Sequence, residues 1–224
     1  MKKNTTLTLA VIALAATGSW VLVAGAQDEP APELGFFITS EGPGNGGDLG
    51  GLQGADAHCQ GLAEAVGAGH REWRAYLSTQ ARGGQPAVNA RDRIGNGPWA
   101  NANGDIIGAD VDDLHYNNAN IDYDHALDEN GNRVNSGANG DSPNRHDILT
   151  GTQLDGRAFP PGEDRTCSNW TSSGEGSAMV GHHDRYRRTT HGSPWNAAHP
   201  SRGCSQDDLI GTGGDGLFYC FAAD

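Results

Sequence analysis

Ala55-Asp56-Ala57-His58-Cys59-Gln60-Gly61-Leu62-Ala63-Glu64-Ala65-Val66 and, past a glycine break, Trp73-Arg74-Ala75-Tyr76-Leu77-Ser78 are the two stretches that decide the fold class. In the first, Ala55, Cys59, Leu62 and Val66 recur at spacings of three and four, which is one face of a helix. Asp56 suits a first helical turn, and Gly67 and Gly69 end the pattern. The helix therefore carries Cys59 into a core. The second stretch, with aromatic anchors beside small residues, reads as a strand.

Working outward, Gly35 to Ser40 holds Phe36-Phe37-Ile38, a first strand, and the glycine-rich Gly42 to Gly54 is a loop. From Gly95 to Asn144 the chain is rich in Asn, Gly and Asp. Asn101-Ala-Asn-Gly-Asp105 and Asp128-Glu-Asn-Gly-Asn132 each set an Asn-Gly pair between apolar flanks, the pattern of a hairpin turn. Further strands are expected at Ile148 to Leu154, Thr166 to Trp170, Ser177 to Gly181 and Leu217 to Phe221. One helix with many short strands and long loops gives α+β or mostly β.

The amino terminus sets the compartment. Lys2 and Lys3 precede an apolar run from Leu7, and Ala24-Gly25-Ala26 places small residues where a signal peptidase reads. A spanning helix needs about 20 apolar residues, and Leu7 to Ala26 approaches that, but Gly18, Ser19 and the small-residue site favour cleavage after Ala26. The expected organisation is a signal peptide at 1–26, a flexible leader at 27–34 and one domain at 35–224. No later run is long enough to span a membrane. An exported, periplasmic or cell-surface location follows, in an oxidising setting where Cys59, Cys167, Cys204 and Cys220 form disulfides. The spacing allows three pairings and no C-x2-C pair suggests zinc.

The chain's only lysines lie in that signal peptide, so its mature form carries 13 arginines against 28 acids, a net charge of −15. Such a chain does not seek nucleic acid or anionic lipid.

Taken together, these residues resemble the C-type-lectin-like superfamily, and within it the endostatin-like branch and its bacterial relatives. The resemblance is carried by the helix Ala55-Asp-Ala-His-Cys59, then Trp73-Arg-Ala-Tyr-Leu-Ser78, Thr166-Cys-Ser-Asn-Trp170, and Cys204 ahead of the terminal Leu217-Phe-Tyr-Cys220. It covers about Gly35 to Asp224. It implies an α+β fold with one main helix packed on short antiparallel sheets, long loops and nested disulfides, Cys59 with Cys220 and Cys167 with Cys204. The outer crosslink would tie the helix to the last strand across about 160 residues, worth roughly 4 to 5 kcal/mol in chain entropy before strain. Sugar-binding members of the superfamily carry a Glu-Pro-Asn or Gln-Pro-Asp loop and a Trp-Asn-Asp strand. Here Gln85-Pro86 is followed by Ala87 and Trp195-Asn196 by Ala197, so that family's calcium-dependent sugar site does not carry over. The zinc-binding histidines near the amino terminus of some endostatins have no counterpart at the matching positions.

Candidate sites follow from composition. Asp110, Asp112, Asp113, Asp122 and Asp124 form an oxygen-rich set suited to calcium, though without EF-hand spacing. His182, His183, Asp184, His191 and His199 could gather a metal, but an adjacent His-His pair rarely serves one ion, and the reading favours polar loop histidines. Arg185, Arg187 and Arg188, around Tyr186, are a basic cluster able to dock an anionic glycan or carboxylate. Trp195, beside Asn196 in a polar loop, is the expected exposed platform for stacking a sugar. No Gly-x-Ser-x-Gly elbow appears and oxidised cysteines supply no thiolate, so catalysis is not expected. The expected function is an exported, non-catalytic binding module for a glycan or extracellular matrix-type macromolecule, with calcium its only candidate cofactor. A structural or adhesive envelope protein with protein partners comes next, and a metal-dependent enzyme last.

Overall fold

The carboxyl-terminal run Leu217-Phe-Tyr-Cys-Phe-Ala222 is apolar without alternation, as a strand covered on both faces must be. In the computed structural model, which describes residues 31–117, 119–185 and 194–224, this run lies within the longest strand and at the centre of the main sheet. The strands are β1 (Phe36–Ile38), β2 (Trp73–Ala75), β3 (Trp99–Ala100), β4 (Ile106–Gly108), β5 (Asp147–Leu149), β6 (Met179–His182), β7 (His199–Pro200) and β8 (Gly214–Ala222); the helices are α1 (Gly51–Ala65) and α2 (Gln206–Thr212). The main sheet runs β1-β8-β5-β6-β7, with β2 also paired to β8; β5 and β8 are parallel and the other pairs antiparallel. β3 and β4 make a separate hairpin.

Period-two alternation divides the core between the faces of this sheet. Phe37, Ala75, Leu149, Val180, Phe218, Cys220 and Ala222 face α1, whose buried stripe is Ala55, Cys59 and Ala63. These small residues bring the helix close to the sheet, and Cys59 bonds Cys220 of the central strand. Phe36, Ile38, Ile148, Leu217, Tyr219 and Phe221 face the other way, onto Tyr76, Ile94, Trp99, Leu114, Ile121 and Trp195. That second face is covered largely by loops. They are ordered by Asx-type turns: Asn101 Oδ1 accepts from the N–H groups of Asn103 and Asp105, and Asp128 Oδ1 from those of Asn130 and Asn132. Both Asn-Gly turns expected from the sequence form.

The protein is thus mixed α+β, with few helices, short strands and two disulfides, Cys59–Cys220 and Cys167–Cys204. Three local expectations are corrected. α1 begins at Gly51, four residues early, because Gly50 takes φ +74° and turns the chain in without a side-chain cap; Val66 then lies past its end and is exposed. Thr166 to Trp170 is no strand: Cys167, Ser168, Asn169 and Trp170 all have positive φ and form a left-handed turn. α2 was not expected at all, although Ser205 followed by Asp208 is a capping pattern: the Ser205 Oγ accepts from Asp208 N–H. Residues 1–30, and with them the signal-peptide reading and the first half of the leader, lie outside the described residues. Among the described residues, no helix is long and apolar enough to cross a membrane.

Candidate functional site

Sheet register builds a place where core-facing positions turn polar. Asp147 opens β5 directly opposite His182, the last residue of β6, and Val180 lies opposite His199, the first of β7. Directly paired residues share a face, so Asp147, His182 and His199 all lie on the α1 side of the sheet, in line with Leu149 and Val180. His146, one residue before β5, stacks its ring on His182 with centroids 4.3 Å apart, and His182 meets His199 edge-on at 4.9 Å.

Three imidazole nitrogens surround one carboxylate oxygen. His182 Nε2 is 3.1 Å from Asp147 Oδ1, His146 Nε2 3.3 Å and His199 Nε2 3.6 Å. His182 Nε2 and His199 Nε2 are 2.9 Å apart. The Asp147 side chain is 2% exposed, yet neither oxygen has a hydrogen-bond partner: the rings are close to it but not aligned to donate. Around this centre lies a supporting shell. His146 Nδ1 is 3.2 Å from Asp184 Oδ2, which also accepts from Ser136 Oγ at 2.5 Å. Burial opposes ionisation of Asp184, but those two hydrogen bonds together with the fields of His146 and His183 outweigh it and hold its pKa down to about 2. The neighbouring His183 is wholly buried, and desolvation pushes its pKa down to about 4. His199, about two-fifths exposed, opens the cluster to solvent.

An Nε2-rich cluster around a carboxylate can share protons or hold a cation. The donor atoms of His146, Asp147 and His182 all lie within 4.8 Å of one another, and His199 adjoins that group through Asp147 and His182. Sequence reasoning placed His182 and His199 in a solvated polar loop; the structure instead draws both into this half-buried cluster, because each terminates a strand facing the core. His146 and Asp147 were missed. Their signal was the period-two phase: starting the β5 strand one residue earlier puts Asp147 on the face of Leu149.

The other expected site residues lie elsewhere. Trp195 is buried, with Nε1 donating to Leu114 O and its ring against Tyr76 and Tyr219. It offers no exposed stacking face, since its apolar area is worth more in the second core. Asn196 is buried beside it, donating to Tyr76 Oη and to the carbonyls of Gln153 and Leu154. Arg185 donates to the Ala119 and Ile121 carbonyls. Arg187 and Arg188 lie outside the described residues, as does His191. The expected calcium ligands do not converge. Asp110 and Asp113 cap backbone N–H groups, Asp112 pairs with Arg91, Asp122 binds His125 Nδ1, and Asp124 pairs with Arg133. Each carboxylate is engaged locally, so no shared oxygen cage forms.

The sequence matches no protein-family model and no curated protein.

Proposed function

We propose that the chain is an exported binding module of C-type-lectin-like fold whose recognition surface is the β5-β6-β7 end of the sheet. The observation that carries this reading is the convergence of His146, Asp147, His182 and His199, on three adjacent strands, at a place that opens to solvent through His199. Polar groups fixed on strands, not loops, are positioned tightly enough to select a ligand. The frame is stapled: the bond between Cys167 and Cys204 ties the segment just after β7 to the left-handed turn, and that between Cys59 and Cys220 ties α1 to β8. Both pairings agree with those that the C-type-lectin-like resemblance implies. A hydroxyl-rich ligand, a glycan or a glycan-bearing matrix macromolecule, matches a surface of imidazole donors and acceptors. Export is supported by the amino-terminal pattern and by the disulfides.

A glycan array probed with the purified protein tests this. Discrete hits that disappear in His199→Ala, with the circular dichroism unchanged, are the expected result. A blank array, with or without added divalent metal, overturns the glycan class. Capture of a protein partner that free sugars do not displace would then favour the adhesive role.

A further inference from the structure

We propose that His146, Asp147 and His182, with His199 completing the set, form a binding site for a divalent transition-metal ion of the zinc type. The inference uses the same cluster as the recognition surface but does not depend on what that surface recognises.

The argument begins with the protons. Asp184 and the Pro200 carbonyl only accept. His146 Nδ1, against Asp184 Oδ2 at 3.2 Å, and His199 Nδ1, against Pro200 O at 3.2 Å, must therefore each carry a hydrogen. In the neutral rings this leaves Nε2 of both with a lone pair, that of His199 accepting from His182 Nε2 at 2.9 Å. Both nitrogens lie close to Asp147 Oδ1, at 3.3 and 3.6 Å. A buried carboxylate with no hydrogen-bond donor, faced by lone pairs, is costly. One proton on a single ring would relieve one of these contacts and leave the others. A cation held by His146, Asp147 and His182, within reach of His199, answers the carboxylate and the lone pairs together.

Spacing agrees. Ligands about 2.0 to 2.2 Å from a tetrahedral ion stand roughly 3.3 to 3.6 Å from each other. Asp147 Oδ1 to each of the three Nε2 atoms, and His182 Nε2 to His199 Nε2, span 2.9 to 3.6 Å, and the donor atoms of His146, Asp147 and His182 all lie within 4.8 Å of one another. The Asp184–His146 contact is the carboxylate–histidine support typical of metal-bound imidazole: it fixes the tautomer and aims Nε2. Donor type selects the ion. Three imidazoles and one carboxylate suit zinc, and cobalt or nickel in its place, whereas calcium takes six to eight oxygens. The exposed edge of His199 gives an entry path.

The test is zinc chloride titrated calorimetrically into EDTA-stripped, dialysed protein with no glycan present, alongside Asp147→Asn, Asp184→Asn and the exposed-histidine control His70→Ala. The expected result is about one zinc per chain, about 100-fold weaker in Asp147→Asn, about 10-fold weaker in Asp184→Asn and unchanged in His70→Ala. Without metal, Asp147→Asn should melt no lower than the native chain, because it removes a buried anion that has no hydrogen-bond partner. Cobalt(II) bound to the native protein should give the intense visible bands of four-coordinate geometry. The site is overturned if zinc does not bind, if cobalt gives only the pale octahedral spectrum, or if binding survives Asp147→Asn and falls with His70→Ala. A blank glycan array together with tight zinc binding would remove the proposed ligand class and leave the metal site intact.

Discussion

His115 shows how one side chain ties a loop to the core and to pH. Its Nδ1 donates to the Val111 carbonyl at 2.7 Å, so Nε2 accepts from the buried Tyr76 hydroxyl at 2.6 Å. That tautomer requires a neutral ring. Burial lowers the His115 pKa below its ordinary 6.5; Arg91 pushes in the same direction, while the Val111 bond, Asp155 and Asp112 pull against it. The unfolded chain takes up this proton near pH 6.5 and the folded chain only at lower pH. The stabilisation is therefore complete above about pH 6.5 and declines as pH falls below it. Urea midpoints should drop between pH 7.5 and pH 5.5, and His115→Gln should flatten that part of the slope. An identical slope in the variant would show that the ring titrates as it does unfolded. The residues near His115 also mark a limit of sequence reading. Trp195 and Asn196 sit in a polar stretch and look exposed, but nothing local reports that Gly181 lets β6 approach them. A Cβ there would stand 1.7 Å from Trp195 O. Long-range close approach of this kind leaves only a glycine in the sequence, and the chain has 34.

At the scale of elements, the left-handed turn at Cys167–Trp170 is the clearest departure from expectation. Four successive non-glycine residues at positive φ each cost about 1 to 2 kcal/mol, so tertiary contacts must hold them. Asn169 is the main clamp: its Oδ1 accepts from Gln80 N–H at 2.7 Å and its Nδ2 donates to Gln80 O at 3.0 Å. Trp170 Nε1 donates to the Ser78 carbonyl, and Cys167 is bonded to Cys204. The composition Thr-Cys-Ser-Asn-Trp has a strand's appearance because these anchors all lie elsewhere in the chain. Two substitutions separate strain from clamp. Ser168→Gly relieves φ +57° and should stabilise by about 0.5 to 1 kcal/mol, whereas Asn169→Ala should cost about 1 to 3 kcal/mol by leaving the Gln80 groups unpaired. Chemical denaturation reads both, and a destabilising Ser168→Gly would mean the turn is not strained at that position. Elements with their own periodicity were legible: the α1 face, the hairpin turns and the apolar β8. Boundaries were not, and a one-residue error at β5 concealed Asp147.

Over the whole molecule the balance is electrostatic. Beyond residue 26 the chain has 13 arginines and no lysine for 28 acids. Its arginines are drawn into specific pairs: Arg93 and Arg74 with Asp56, Arg91 with Asp112, Arg71 with Asp224 and Arg145 with Asp215. The Arg93–Asp56 pair, with Asp56 also accepting from Ala75 N–H, locks α1 to β2 and is mostly buried. Asp56 thus acts as a cross-link and not as the first-turn residue its position suggested. Added salt acts on the two populations in opposite directions. It weakens exposed pairs, each worth about 0 to 1 kcal/mol, and it screens repulsion among the surplus acids, whose reach shrinks from about 10 Å at 0.1 M to about 3 Å at 1 M. The buried Asp56 pair is little screened, so the pairs that matter most are the least affected, while the surplus negative charge is spread over the surface. Repulsion should therefore dominate the response, and the melting temperature should climb by several degrees between low salt and about 1 M NaCl. The same climb in KCl would assign it to screening and not to a bound sodium ion. A flat or falling curve would mean that the exposed arginine pairs contribute more to this fold than its excess of acids takes away.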